Sequence, residues 1–167
     1  MTCERCSRKM PGLPETAVWG PPLWAMLHGL AQRSDKIVTP HTMLYAARQW
    51  IRLLEALPMT LPCPVCQNHA QEWLLSHPVQ LLLKQTDIKS WLVTWLYDFH
   101  ESVNARRGVP SFNKELLEET YKDLPLREIY EACKTILASA KEGRSTGFLK
   151  WKQCIGTMLM LLAVHGV

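Results

Sequence analysis

Apolar residues return every three or four positions in one stretch after another, and this period rules out most folds at once. After Pro21 and Pro22 come Leu23, Leu27, Leu30 and Ala31. Leu44, Ala47, Ile51 and Leu54 repeat the spacing, as do Ile88, Leu92, Trp95, Phe99 and Val103, and then Ile129, Cys133, Ile136 and Ala140. Such stripes are helix faces. No stretch alternates with period two for long enough to form a convincing strand. Local signals place the ends. Pro21 and Pro22 open the first helix, where proline's missing N–H is tolerated. The second runs from about 42 to 57, stopped by Pro58. The third begins near Pro62 or Cys63 and ends before Pro78. Asp87 caps the fourth and Gly108 ends it. A shorter helix follows around 114–124 and another around 126–141. The loops are short, so neighbouring helices are expected to pack antiparallel. With 167 residues the chain is long enough for one all-α domain with a real core.

Charge narrows the function classes. The net charge of +4 is mild and the basic residues are scattered, so nothing calls for nucleic acid. The first residues lack the apolar run of a secretory signal. From Cys154 to Val167 the chain is almost wholly apolar, behind Lys150 and Lys152. That run is shorter than the roughly 20 residues that span a bilayer. Two readings stay open for it: a segment docked on the core or on another subunit, or a short tail in contact with a membrane.

The six cysteines say more. Cys3 and Cys6 form one C-x-x-C, Cys63 and Cys66 another, while Cys133 and Cys154 stand alone. In a chain with no signal segment such pairs point to metal binding or redox catalysis. The two pairs are much further apart than the roughly 15–20 residues of a zinc ribbon. Cys63, Cys66 and His69 could supply three metal ligands, but the residues between them look like the start of a helix. A redox pair fits better, and no metal ligands are assigned. Pro62 and Pro64 bracket Cys63 at a helix start, where unpaired N–H groups favour a thiolate and bring a thiol pKa from about 8.5 toward 7. A thioredoxin fold would need strands around the motif, and none is found.

Three blocks name a family. The first, WGPPLWAMLHGLA (19–31), holds Gly20, Trp24 and His28; the second is PCPVCQNHA (62–70). The third, WLYDFHESVNARRGVPSF (95–112), holds Trp95, Leu96, His100, Val103, Asn104, Gly108, Pro110 and Phe112. Their order and separation resemble the Erv/ALR family of FAD-dependent sulfhydryl oxidases over about residues 19–122. The absence of extra domains looks most like the minimal forms encoded by large cytoplasmic DNA viruses. Helical spacing agrees with this: Trp24 and His28 are one turn apart, as are His100 and Asn104, so each pair shares a helix face. Two such faces can line a slot for a flat cofactor.

The resemblance implies an all-α fold: a four-helix bundle with an additional short helix, here followed by a helical extension. It divides the chain into an N-terminal arm (1–17), an FAD-binding oxidase domain (18–124) and a C-terminal extension with an apolar tail (125–167). It implies FAD as cofactor, with Gly20, Trp24, His28, His100, Val103, Asn104, Arg106, Tyr121 and Lys122 as its contacts. Tyr121 would replace a family Trp at the adenine end, and Lys122 would meet phosphate. Cys63 would face substrate and Cys66 the flavin. Electrons would pass from protein thiols, or from an upstream thiol–disulfide relay protein, through this pair to FAD and then to molecular oxygen, giving hydrogen peroxide. Cys3 and Cys6 would act as a shuttle. A homodimer is implied, acting in a host cytoplasm or virion or, as for cellular relatives, in the mitochondrial intermembrane space. Several positions depart from the family pattern. Glu101 replaces an Asn, Lys114 stands where cellular members carry a cysteine, and the Tyr often found soon after the first His is absent near Gln32 and Arg33. The alternative from another class is a zinc-stabilised helical adaptor without catalysis.

Overall fold

The computed structural model describes residues 14–36, 39–139 and 145–167, and these contain no strand. Cys3 and Cys6, and with them the expected shuttle arm, lie outside the described residues.

Helix α1 spans Thr16–Gln32 and holds Pro21 and Pro22 in its interior. The expectation that these prolines open the helix is therefore corrected. Their missing N–H groups deprive the carbonyls of Ala17 and Val18, one turn earlier, of helical donors. Both residues are exposed, so water can take the place of those donors. The preceding residue, Glu15, makes no side-chain cap bond, so the true start carries no signal in the sequence. Leu23, Leu27, Leu30 and Ala31 face the core as expected.

Helix α2 spans Pro40–Ala56, capped by Thr39, whose hydroxyl accepts from the Thr42 N–H at 3.2 Å. Its inward face is Ala46, Ala47, Trp50, Leu53 and Leu54. Leu44, expected on that face, is exposed. Leu44 lies in line with the half-buried Ile51, at the edge of the stripe that centres on Trp50. Past Ala56 the chain tightens into a 3-10 turn, Leu57–Thr60, and enters α3, Pro64–Ser76. Helix α4, Ile88–Arg107, has both expected ends: Asp87 accepts from the Ser90 N–H at 2.9 Å, and Gly108 closes it at φ 68°. A 3-10 turn at Lys114–Leu116 leads into the short α5, Leu117–Tyr121.

The last two helices, α6 (Leu126–Ser139) and α7 (Ser145–Val164), complete the packing: α6 lies on α1, and α7 runs along α2 and the 57–60 turn. The inward face of α6 is Leu126, Tyr130, Cys133 and Leu137. Gly29 allows its approach, because a Cβ there would come within 2.5 Å of Leu126 Cδ2. The apolar C-terminal run is part of α7, which buries Cys154, Ile155, Met158, Leu161 and Leu162 in the common core. Among the described residues no helix is long and apolar enough to cross a membrane.

Candidate functional site

One cavity of about 510 Å³ opens between α1, α3 and α4, with Tyr121 at the end of α5. That volume lies within the roughly 300–1,000 Å³ of small-molecule sites. Of the residues expected to hold a cofactor, Gly20, Trp24, His100, Val103, Arg106 and Tyr121 line it, and Cys66 joins them from α3.

His28 stands just behind this wall. Its Nε2 lies 3.1 Å from His100 Nδ1, and its ring stacks on Tyr121 at 4.6 Å. Trp24 stacks on His100 at 3.9 Å, nearly parallel. Spacing puts positions 24 and 28 on one face of α1, and the packing of α4 against that face brings position 100 to meet them. Burial, and then the neighbouring His100, push His28 down to about 3. Burial is also the main cause that brings His100 down to about 4, with Glu101 opposing and Arg107 assisting. Both imidazoles are neutral at pH 7. In that form one ring can donate to the other, whereas two imidazolium rings would only repel.

The remaining expected contacts do not line the cavity. Asn104 is buried, and its amide donates to Glu101 Oε1 at 2.9 Å. Glu101, the departure from the family pattern, also accepts from Ser111 and from the Phe112 N–H. Burial raises its carboxyl, but these hydrogen bonds outweigh that and hold it below the ordinary range. The substitution thus ties the chain after Gly108 back onto α4. Lys122 contributes its backbone: its carbonyl accepts from Arg33 Nε at 3.2 Å, and the Leu124 carbonyl accepts from Arg33 Nη2 at 2.8 Å. Arg33, at the end of α1, therefore fixes the turn that presents Tyr121. The sequence reading noted Arg33 only as a departure from the family.

The cysteine pair sits where the helix signals put it. Cys63 is the N-cap of α3, and its Sγ accepts from the Cys66 N–H at 3.2 Å. Both side chains are half-buried. Cys66 reaches the cavity, while Cys63 lies beyond its lining. Helix-start N–H groups favour negative charge on sulfur, so the geometry suits Cys63 as a departing thiolate. Among the described residues no group of three or more His, Cys, Asp or Glu side chains is arranged to hold a metal ion.

The lining suits a flat group with a polar edge and an anionic tail. Leu23, Leu27, Leu61 and Val65 supply apolar walls, and Arg106 and Arg107 supply positive charge. Trp19, which the sequence reading left out, lines the cavity, and its buried indole N–H has no partner. A buried donor of this kind costs about 1–3 kcal/mol unless something accepts from it. An oxygen of a bound ligand could do so. Trp19 lies one residue before Gly20 on the same helix, and its position was the only clue in the sequence.

Comparison with known proteins agrees with the geometry. The chain is 31% identical over 136 residues to the FAD-linked sulfhydryl oxidase of an African swine fever virus tick isolate from Malawi, a match covering 80% of this chain and 95% of the relative. It is 29% identical over 107 residues to a protein of Invertebrate iridescent virus 6, covering 63% of this chain and 93% of that one. The mitochondrial FAD-linked sulfhydryl oxidase erv1 of Schizosaccharomyces pombe is 25% identical over 118 residues, 71% of this chain and 61% of its own length. No solved structure matches. The model of the Erv1 / Alr family matches residues 21–122. Those residues supply the cavity wall from Pro21 to Tyr121, including Cys66 and the stacked Trp24 and His100, and the chain belongs to the Erv1 / Alr family.

Proposed function

We propose that this chain is an FAD-linked sulfhydryl oxidase that forms disulfides in protein thiols. The reading rests on one observation above the others: Cys66 opens onto the same cavity as Trp24 and His100. FAD held there by these residues would supply the two-electron redox chemistry that links the cysteine pair to molecular oxygen as acceptor, with hydrogen peroxide as product.

The chain's own residues do the rest. A substrate thiolate attacks Cys63 Sγ in the disulfide form of the pair. The Cys63–Cys66 bond breaks, and Cys66 leaves with the electron pair as a thiolate that then takes up a proton and rests as the thiol. A second substrate thiol then attacks the substrate sulfur and releases Cys63, at the helix start that stabilises a departing thiolate. Cys66 is left facing the cavity, holding the electrons the acceptor must take. Trp24, His28, His100, Val103 and Tyr121 bind and orient the flat group, Trp19 donates to one of its oxygens, and Arg106 meets its negative charge. Gly20 leaves room beside α1, Asn104 holds the Glu101 carboxylate that ties residues 111 and 112 back onto α4, and Lys122 sits at the phosphate end. Residues 18–124 form the cofactor-binding unit, and 125–167 form an extension that buttresses it. The sources of thiols are folded proteins or an upstream relay protein, reached through Cys3 and Cys6, and the active form is a homodimer in a host cytoplasm or virion.

The test is direct. The purified protein should be yellow, with a flavin absorbance band, and should consume oxygen and release peroxide when given a dithiol. A colourless protein that carries zinc and oxidises no thiol would replace this reading with the helical adaptor.

A further inference from the structure

His69 belongs to no assigned role, yet it lines the cavity beside Cys66. The two residues are three apart on α3, which places their Cβ atoms about 5–6 Å from each other on one helix face. A rotamer change of the half-buried Cys66 or one bridging water closes such a gap between a thiol and an imidazole. His69 is 8% exposed, so its ring is held rather than free to turn.

Its tautomer follows from its partner. His69 Nε2 lies 3.2 Å from Ser102 Oγ, and the Ser102 hydroxyl donates to the Phe99 carbonyl at 2.7 Å. A serine hydroxyl has one proton, and the shorter bond to Phe99 uses it. The ring must therefore donate from Nε2, which leaves Nδ1 bare as a proton acceptor. We infer that His69 is the base that takes the Cys66 thiol proton before the pair is reoxidised, with Ser102 as the positioning residue that keeps Nδ1 bare. In this step the S–H bond of Cys66 breaks and an N–H bond forms at Nδ1, while the electron pair stays on sulfur. Burial, then Arg106, lower the basicity of the ring against the opposing pull of Glu72. The imidazolium so formed readily gives its proton up to water. The charged and titratable groups facing this site are Glu72 from α3, His100, Arg106 and Arg107 from α4, and Tyr121. Arg106 is paired with Glu72 at 3.0 Å.

The inference rests on the thiol-oxidase reading, but its test does not need turnover. The full chain is reduced without oxygen and alkylated with iodoacetamide over a range of pH, and modification of Cys66 and Cys63 is followed by peptide mass. Once the proton sits on Nδ1, the imidazolium pairs with the thiolate and favours it, so His69→Gln should move the Cys66 profile upward by about one pH unit, a tenfold slower reaction on its rising limb. The Cys63 profile should stay in place. Ser102→Ala should shift Cys66 in the same direction by less, and Ser102→Thr, which keeps the hydroxyl, should restore the parent profile. A His69→Gln profile for Cys66 that superimposes on the parent in folded protein overturns the inference. Should that variant fail to fold, identical Cys66 profiles for Ser102→Ala and Ser102→Thr overturn it instead. Loss of the oxidase reading would look different: a parent protein without flavin or thiol oxidation, whatever the alkylation profiles do.

Discussion

The two walls of the cavity are built on opposite principles. On the α1–α4 wall, His28 is buried and His100 half-buried; both are neutral and hydrogen-bonded to each other, and aromatic rings stack against both. On the α3 wall the sulfurs are half-buried, Cys63 caps a helix start, and His69 is tied by one ring nitrogen. A wall that must hold a flat molecule gains from groups that do not change charge. A wall that must exchange electrons and protons needs groups that do. If this contrast is sound, damage to α3 should stop chemistry while leaving binding, and damage to the α1–α4 wall should do the reverse.

The largest effect should come from the α3 wall. Cys66→Ser removes the sulfur that faces the cavity, so thiol oxidation should fall to background while the flavin band at constant protein concentration stays. Cys63→Ser should also stop turnover, but it leaves the Cys66 thiolate beside the bound cofactor. That variant alone should show a long-wavelength charge-transfer absorbance. Loss of flavin from either variant would mean that the cysteines hold the cofactor and that the two walls are not distinct.

The opposite wall should respond in binding and stability. His28→Ala or His100→Ala strands a buried ring nitrogen and opens a void, at a cost of roughly 2–4 kcal/mol. Flavin occupancy should drop more than helicity, and the melting temperature should depend more on added FAD. The same pair predicts a pH dependence. Unfolded histidines titrate near 6.5, whereas His28 and His100 hold out to about 3 and about 4 in the folded chain. Between those values the unfolded state binds protons that the folded state refuses. The stability is therefore complete above pH 6.5 and is lost as the pH falls toward 4, by up to about 1.4 kcal/mol per pH unit for each ring. Replacing both histidines by Gln should flatten that slope in urea titrations at stepped pH. An unchanged slope would mean that the two rings charge freely and that this wall is not the inert one.

How far the sequence reached differs between the walls for a physical reason. Trp24 and His28 share one helix face by spacing, as do His100 and Asn104 on another, and Cys63 is flagged by flanking prolines, so short-range pattern was enough to find them. The Asp87 cap and the Gly108 stop were legible in the same way. Trp19, Arg33 and Ser102 were not. Each acts through a partner or cavity that only packing brings near: Ser102 meets His69 across 33 positions, and Arg33 reaches Leu124 across 91. The start of α1 was missed because prolines tolerated inside a helix read like a beginning, and no capping side chain marks the true one. The apolar run after Cys154 had no visible partner until α7 was seen lying on α2.

The smallest expected effect sharpens the contrast from outside the cavity. Gly29 faces away from the cavity lining and toward α6, where an added Cβ would meet Leu126 Cδ2 at 2.5 Å and the Tyr121 carbonyl at 3.5 Å. Leu126 is 1% exposed, so its side chain has little space to yield. Gly29→Ala gains about 1 kcal/mol in helix propensity and loses roughly 1–3 kcal/mol to overpacking. The net change should be a loss of about 1 kcal/mol in unfolding free energy. Because Tyr121 stacks on His28 and its carbonyl touches the same spot, the displacement should reach the binding wall and not the cysteines. FAD affinity should fall modestly while the Cys66 alkylation profile stays unchanged. Adding Leu126→Ala to Gly29→Ala removes the clash. The double variant should be less unstable than the sum of the two single changes, and simple additivity would show that the α1–α6 contact does not position Tyr121.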